Sequence, residues 1–550
     1  DGLYDKAGAR PDLDLDFAKT KSLKDRVSKE DLITFTRSSG TGYGATYVDE
    51  NGLVKRSPVN FIFHSEDLST GTYGVFNLGG AISANAGTSP SGNSSYAHIG
   101  QGTAGRHTFK IFPAALNANH KIANNTRFVM SLFVKRLSGD SIERYVNLET
   151  AAYSTWSHTG YSGVFDLETG TRVTDPSNSN ITSGIEDVGD GWYRIHFSVT
   201  TGTTSVNTGF YLNKTNVNSS AGSSPSLTLT SSQGHLIWGV QVEEGSVPTT
   251  YIPTSGQRSG APRFTHDPET YESKGLLVES AVTNFLRSSR AISGDTTATQ
   301  NWVGYASKIA YDNSITNPDG STGAAYLDDS GSEIYQFFNT SGFNSGAGTD
   351  TITISCFVKA RSGIIGDFLI ELFSQQDGVP DPDHNNNLGI VLRFNPLANN
   401  GDGEINSGVT ADNASRTITN SKIEKYPNGW FRISCTIFVK PYTYEGTTYS
   451  KFLDKSRFDV QGAGHITNNN GKHYFWGAQV EIGSVLTSFI PTLGSTVFRS
   501  PDLTSIEGDN FGTYRTNLVK NTSFRKASDG YETTGSFANC TYESYAALSP

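Results

Sequence analysis

Apolar and polar residues alternate along this chain with a period of two. Phe128, Met130, Leu132 and Val134 share one face of a stretch, and Ile352, Ile354, Cys356 and Val358 share one face of another. Tyr193, Ile195, Phe197 and Val199 form a second stripe, answered by Phe431, Ile433, Cys435 and Ile437. This alternation predicts strands with one buried face. The best helical stretch, Thr20–Leu32, is short. Two packed antiparallel sheets, a jelly-roll sandwich, fit modules built this way.

The stripes occur in pairs because the chain repeats itself. WGVQVEEGSVPTTYIPT (238–254) returns as WGAQVEIGSVLTSFIPT (476–492), with 12 of 17 positions identical. DGWYRIH (190–196) returns as NGWFRIS (428–434), and LFVKRLSG (132–139) as CFVKARSG (356–363). VNFIFHSEDLSTG (59–71) is answered by TNFLRSSRAISG (283–294). A duplicated module of close to 200 residues is the simplest reading, and that length supplies a core. The expected division is a leader (1–59), module one (60–254), an inter-module segment (255–283), module two (284–492), a linker (493–516) and a third start (517–550).

In the closing phrase, strict alternation puts Trp238, Val240 and Val242 on the core face, matched by Trp476, Ala478 and Val480. Gln241 and Glu243 (Gln479 and Glu481) then lie opposite. They either meet a ligand or tie down neighbouring backbone. In the leader, PDLDLDF (11–17) alternates like a strand, and Asn51-Gly52 between TYV and LVK predicts a hairpin. Pro262–Ser280 predicts a strand, a turn and a strand. Residues 1–58 and 260–282 are expected to pack as one split unit, with module one inserted between them.

Composition narrows the class. The net charge of −10 argues against a nucleic-acid binder, which wants a basic surface. Fifty-eight glycines and one methionine suit a turn-rich, all-β protein. No apolar run is long enough for a membrane span, so membrane insertion is not expected. Three cysteines make no disulfide framework; Cys356 and Cys435 are expected as buried thiols, with a Cys356–Cys435 bridge as the alternative.

The runs LDLDFAKTKSLKDRV, LITFTRSS, TYVDENGLVK and PRFTHDPETYESKGLLVES, followed by the two closing phrases, resemble structural proteins of tailed bacteriophages. The likeness is to tail-fibre and head-spike proteins of marine and cyanobacterial phages with lectin-like modules. It implies an all-β fold of two tandem concanavalin A-like jelly-roll sandwiches, with a small β-rich leader and the start of a third element. It also implies a virion location, other virion proteins and further copies of this chain as partners (a trimer by preference), and contact with host-surface glycans. A polysaccharide-degrading tail spike and a cellular adhesin are the alternative readings.

Candidate chemistry is sparse. No HExxH, GxSxG or Walker phosphate loop occurs, and no catalytic residues are assigned. Tyr153, Trp156 and Tyr161 form one aromatic cluster and Trp302 and Tyr305 another, each a candidate platform for stacking sugars. Trp192 and Trp430 point away from the apolar stripe and are weighed as platforms or core covers. Asp381, Asp383, Asn385 and Asn387 offer oxygens at alternating spacing, a weak calcium candidate against the plainer reading of a solvated loop. No other cofactor is expected. His235 and His473 lack metal-spaced partners and read as ordinary strand residues.

Overall fold

The period-two stripes fold as strands, and the two copies fold alike. The computed structural model describes residues 15–27, 33–38, 44–69, 73–76, 80–100, 104–105, 108–111, 127–150, 162–174, 182–200, 210–215, 227–290, 302–304, 309–327, 333–339, 351–364, 366–375, 389–408, 416–439, 442–444, 447–449, 455–461 and 472–506. The fold is all-β, with two tandem jelly-roll sandwiches. Two compact units are formed, Asp1–Phe35 with Leu503–Pro550, and Thr36–Asp502; both sandwiches belong to the second.

In module one, one six-stranded sheet runs in the order Thr182–Gly189, Trp192–Thr200, Arg127–Arg136, Gly234–Glu244, Ser94–Gly100, Gly80–Thr88. The facing sheet runs Thr171–Thr174, Ser162–Asp166, Tyr145–Thr150, Phe210–Thr215, Thr108–Ile111, Tyr73–Phe76. Module two repeats the first order with Arg416–Tyr426, Trp430–Val439, Thr351–Lys359, Tyr474–Ile482, Thr322–Leu327 and Ile309–Thr316. Its facing sheet repeats the second order, from Glu404–Gly408 through Phe368–Gln375 and Lys455–Gln461 to Val303–Gly304. The predicted stripes meet between the sheets. Phe128, Met130, Leu132 and Val134 pack with Ile195, Phe197 and Val199 in module one, and Ile352, Ile354, Cys356 and Val358 with Ile433, Cys435 and Ile437 in module two. Cys356 and Cys435 are free and buried, and burial raises both thiols to about 12. They are core side chains, not a bridge.

The closing strand departs from strict alternation. Phe133 faces Trp238 but Ser131 faces Gln241, so Gly239 and Val240 on one strand oppose Leu132 alone on the other. The extra residue is a bulge at Gly239, whose φ of +63° favours glycine. Ile237, Val240 and Val242 therefore point into the sandwich, while Trp238 turns outward with Gln241 and Glu243. This corrects the expectation that Trp238 shares a face with Val240. The bulge recurs at Gly477, also at +63°, and puts Trp476 outside with Phe357, Trp430 and Phe489. A Cβ at either glycine would sit 2.8 Å from Phe133 or Phe357. Gly239→Ala and Gly477→Ala are each expected to cost about 1–3 kcal/mol, read as a lower denaturant midpoint with unchanged slope.

In the leader, Phe17–Thr20 is one helical turn capped by Asp16, so Phe17 does not continue a strand. That turn ends at Lys21 in the left-handed region, where the Thr20–Leu32 helix was expected to start. Within the same unit Ile33–Phe35 pairs with Leu503–Ile506. The Asn51-Gly52 hairpin forms from Thr46–Val48 and Val54–Arg56, and Arg263–His266 pairs with Ser273–Leu277. Each module is also sealed where the chain enters and leaves. Val59–Asn60 pairs with Ser259–Gly260, and Val282–Asn284 with Val497–Arg499. The exit strands lie beyond IPT, within the segments 255–283 and 493–516 that the sequence suggested were connectors; backbone pairing to the entry strand explains why they are ordered.

Candidate functional site

The closing phrase is a self-locking strap. The Gln241 amide receives Ile252 N–H at 2.7 Å and donates to Glu243 at 2.7 Å. Glu243 accepts from Thr249 N–H at 2.7 Å and from its hydroxyl at 2.6 Å. Tyr251 then packs against Trp238, with ring centroids 4.6 Å apart and the planes tilted by 52°. Module two repeats the lock through Gln479 to Ile490 N–H, Glu481 to Thr487, and Phe489 on Trp476. Burial raises the Glu243 and Glu481 carboxyls above their ordinary range, against the hydrogen bonds that lower them. These acids fasten the strap that follows them.

A second fastening was not foreseen. Asn60 is fully buried, donates to the carbonyls of Val240 (3.1 Å) and Ile252 (2.9 Å), and accepts from the N–H of Ile62 and Val242. Asn284 does the same with Ala478, Ile490, Leu286 and Val480. Each asparagine ties an entry strand to its closing strand and strap. The signal was the Asn-Phe pair shared by 60–61 and 284–285.

The leader hairpin docks on module two. Val54 enters the outer aromatic cluster of Phe357, Trp430, Tyr474, Trp476 and Phe489, and its N–H reaches Pro318 O at 2.9 Å. The hairpin also lies against the inter-module strands, through Val48 N–H to the Thr265 hydroxyl (3.1 Å) and Arg263 to Thr46 O (2.8 Å). Beneath it lies a buried charge cluster drawn from distant segments. Asp502 receives Arg37 at 3.0 Å, the Arg263 guanidinium, and Glu279 N–H at 2.9 Å. Glu279 lies 2.7 Å from both Arg263 and Arg499 and accepts from Ser488 N–H and hydroxyl at 2.7 Å. Burial lowers Arg37 to about 10, with Arg263 adding to the effect and Asp502 opposing it. Burial pushes Glu279 up, but Arg499 and Arg263 outweigh it and hold the carboxyl below its ordinary range.

Above this cluster a cleft of about 330 Å³ opens between the two hairpins and module two, with Tyr47, His266, Lys274, Lys422, Tyr426 and Arg432 in its lining. Its rim charges are paired, Lys422 with Glu424 at 2.7 Å and Lys274 with Asp267 at 3.3 Å. Asp267 is held below the carboxylate range, chiefly by Thr270 N–H. General-acid chemistry on a glycoside needs a carboxyl raised towards neutrality. Of the cleft acids, Asp267 and Glu279 are shifted the other way.

The expected sugar platforms fare differently. Trp302 is 2% exposed and sits inside the module-two core, 6.4 Å from Phe458, so it offers no stacking face. Tyr153, Trp156, Tyr161 and Tyr305 lie outside the described residues, as do Asp381, Asp383, Asn385 and Asn387. Trp192 and Trp430 are buried in the outer clusters and donate to Thr88 O (3.1 Å) and Thr316 O (2.8 Å). They cover the sheet and leave no platform. His235 and His473 are buried, each with its Nε2 against a backbone carbonyl. Among the described residues no group of three His, Cys, Asp or Glu could hold a metal ion, and no helix is long and apolar enough to cross a membrane.

No family model and no curated protein matches the chain. Among solved structures it is similar to vicilin from hazelnut (Corylus avellana), at 8% identity over 70% of this chain and 84% of that one. The TM-score is 0.10, a likeness too slight to bear on fold or function.

Proposed function

We propose that the chain is a non-enzymatic structural component of a tailed-phage particle, an appendage attached through its N-terminal part. Its two sandwiches are presented outward, towards host-surface glycans, and several copies assemble symmetrically around the particle axis. The observation that supports this most is the use made of polar side chains. The repeated Gln, Glu and Asn residues fasten straps, and Arg37, Arg263, Arg499, Glu279 and Asp502 fasten the leader and module two. A chain whose buried polar groups hold segments together is suited to bearing load.

The test is gold-labelled antibody raised against module two and applied to intact particles. Label at one symmetric appendage is expected. Particles that carry no label, alongside free protein in the lysate that is labelled, would overturn the reading. Reducing-sugar release from host envelope polysaccharide by the purified chain would favour the enzymatic spike instead.

A further inference from the structure

The two modules differ at one core position in a way their shared fold does not require. In module one Lys214 stands opposite Val146, and both turn towards the sandwich interior. In module two the same place is taken by Val460 opposite Ile370, two ordinary core residues. Lys214 is 1% exposed, and its Nζ has no hydrogen-bond partner among the described residues. A lysine here must therefore be either a neutral amine in a dry core or a buried cation without a bonded counter-ion.

Among the described residues its charged and titratable neighbours are few. Glu143 is fully buried, and its carboxylate already accepts from Ser138 N–H (2.9 Å), the Ser138 hydroxyl (2.8 Å), Gly139 N–H (2.9 Å) and Gly234 N–H (2.6 Å). His235 is 1% exposed, with Nε2 2.7 Å from Glu143 O, and is paired across the sheet with His98. Arg136 adds positive charge near His235. The imidazole is held neutral, lowered to about 3 by burial first and by Lys214 second.

We propose that Lys214 is a titrating switch in the core of the first module, which it firms at alkaline pH and loosens towards neutral and acid pH, while the second module is indifferent. The direction follows from linkage. Burial lowers the Lys214 amine from 10.5 to about 7, with Glu143 opposing. Between those values the unfolded chain binds one more proton than the folded one, so stability rises with pH. Below about 7 both states hold the lysine's proton and its contribution stops changing.

Hydrogen exchange of the intact chain between about pH 7 and 9, corrected for the intrinsic rate, reads the two modules side by side. Protection of Tyr145–Thr150 and Phe210–Thr215 is read from pH 7 upward, above the titration of histidine in the unfolded chain, because His235, held neutral in the fold, gives its own rise below that. It should rise there by up to about tenfold per pH unit. Phe368–Gln375 and Lys455–Gln461 should stay flat. Lys214→Met should abolish the rise, and Val460→Lys should import it into module two. An equal rise in both modules, or a rise that survives in Lys214→Met, overturns the proposal. If Lys214→Met does not fold, the Val460→Lys chain decides alone: a flat module two contradicts the mechanism.

Discussion

Asp502→Ala is expected to lower the stability of the intact chain by about 3–5 kcal/mol, the range seen when one partner of a buried ion pair is removed. Asp502 is 6% exposed and meets Arg37 and Arg263, which are themselves 2% and 0% exposed. The truncation leaves Arg263 and Arg499 sharing Glu279, and removes the carboxylate that the buried Arg37 guanidinium meets at 3.0 Å. Asp502→Asn keeps the shape and one acceptor but loses the charge. It should fall near Asp502→Ala if charge is the cause, and near wild type if only the hydrogen bonds matter. Urea unfolding followed by tryptophan fluorescence measures both. The charge contribution also has a pH signature. Glu279 is held below its ordinary range, so its stabilisation is complete at neutral pH and is lost as acid approaches the lowered value.

Asn284→Ala is the second large effect, at about 2–4 kcal/mol. The side chain is fully buried and satisfies two carbonyls and two N–H groups that no water can reach. Leaving buried polar groups unpaired costs about 1–3 kcal/mol each, reduced where neighbours shift. Asn284→Asp is a sharper probe. It is isosteric but turns a donor into an acceptor facing Ala478 O and Ile490 O, so at neutral pH it should be no better than alanine. Acid should relieve it, because a protonated carboxyl regains one donor. Asn60 makes the same four bonds in module one, and the same pair of substitutions there should repeat the order. If Asn284→Asp instead matches wild type at neutral pH, the side chain is not the tie described.

What the sequence made legible was local. A strand stripe is a period-two pattern within a few residues, so the core faces of Phe128–Val134 and Trp192–Val199 could be read from the chain directly. The Gly239 bulge could not be read from alternation, because one inserted residue reverses every later side chain on the strand. A glycine retained after the tryptophan in both copies, with apolar residues three apart at Ile237 and Val240, was the available signal. Trp302 was mistaken for a sugar platform because a polar neighbourhood in sequence says little about burial set by distant strands. The charge cluster joins Arg37 to Asp502 across 465 positions, and no spacing rule spans that distance. An arginine beside or near a phenylalanine in TFTR, PRFT and VFRS was the trace it left. The cleft that the fold does create, between the two hairpins and module two, draws its lining from four separate stretches of the chain.

The central claim is that the leader hairpin (residues 44–57), the inter-module strands and module two are fastened into one cooperative body through the Arg37–Asp502–Arg263–Glu279–Arg499 cluster. Scanning calorimetry of the intact chain beside Asp502→Ala tests this most directly. The account predicts that the transition of module two in the wild type includes the leader hairpin, seen as protease protection of residues 44–57 up to the same temperature. In Asp502→Ala that hairpin should be cut well before module two melts. If residues 44–57 are cleaved in the native wild type, or if Asp502→Ala protects them equally well, the fastening described here is wrong.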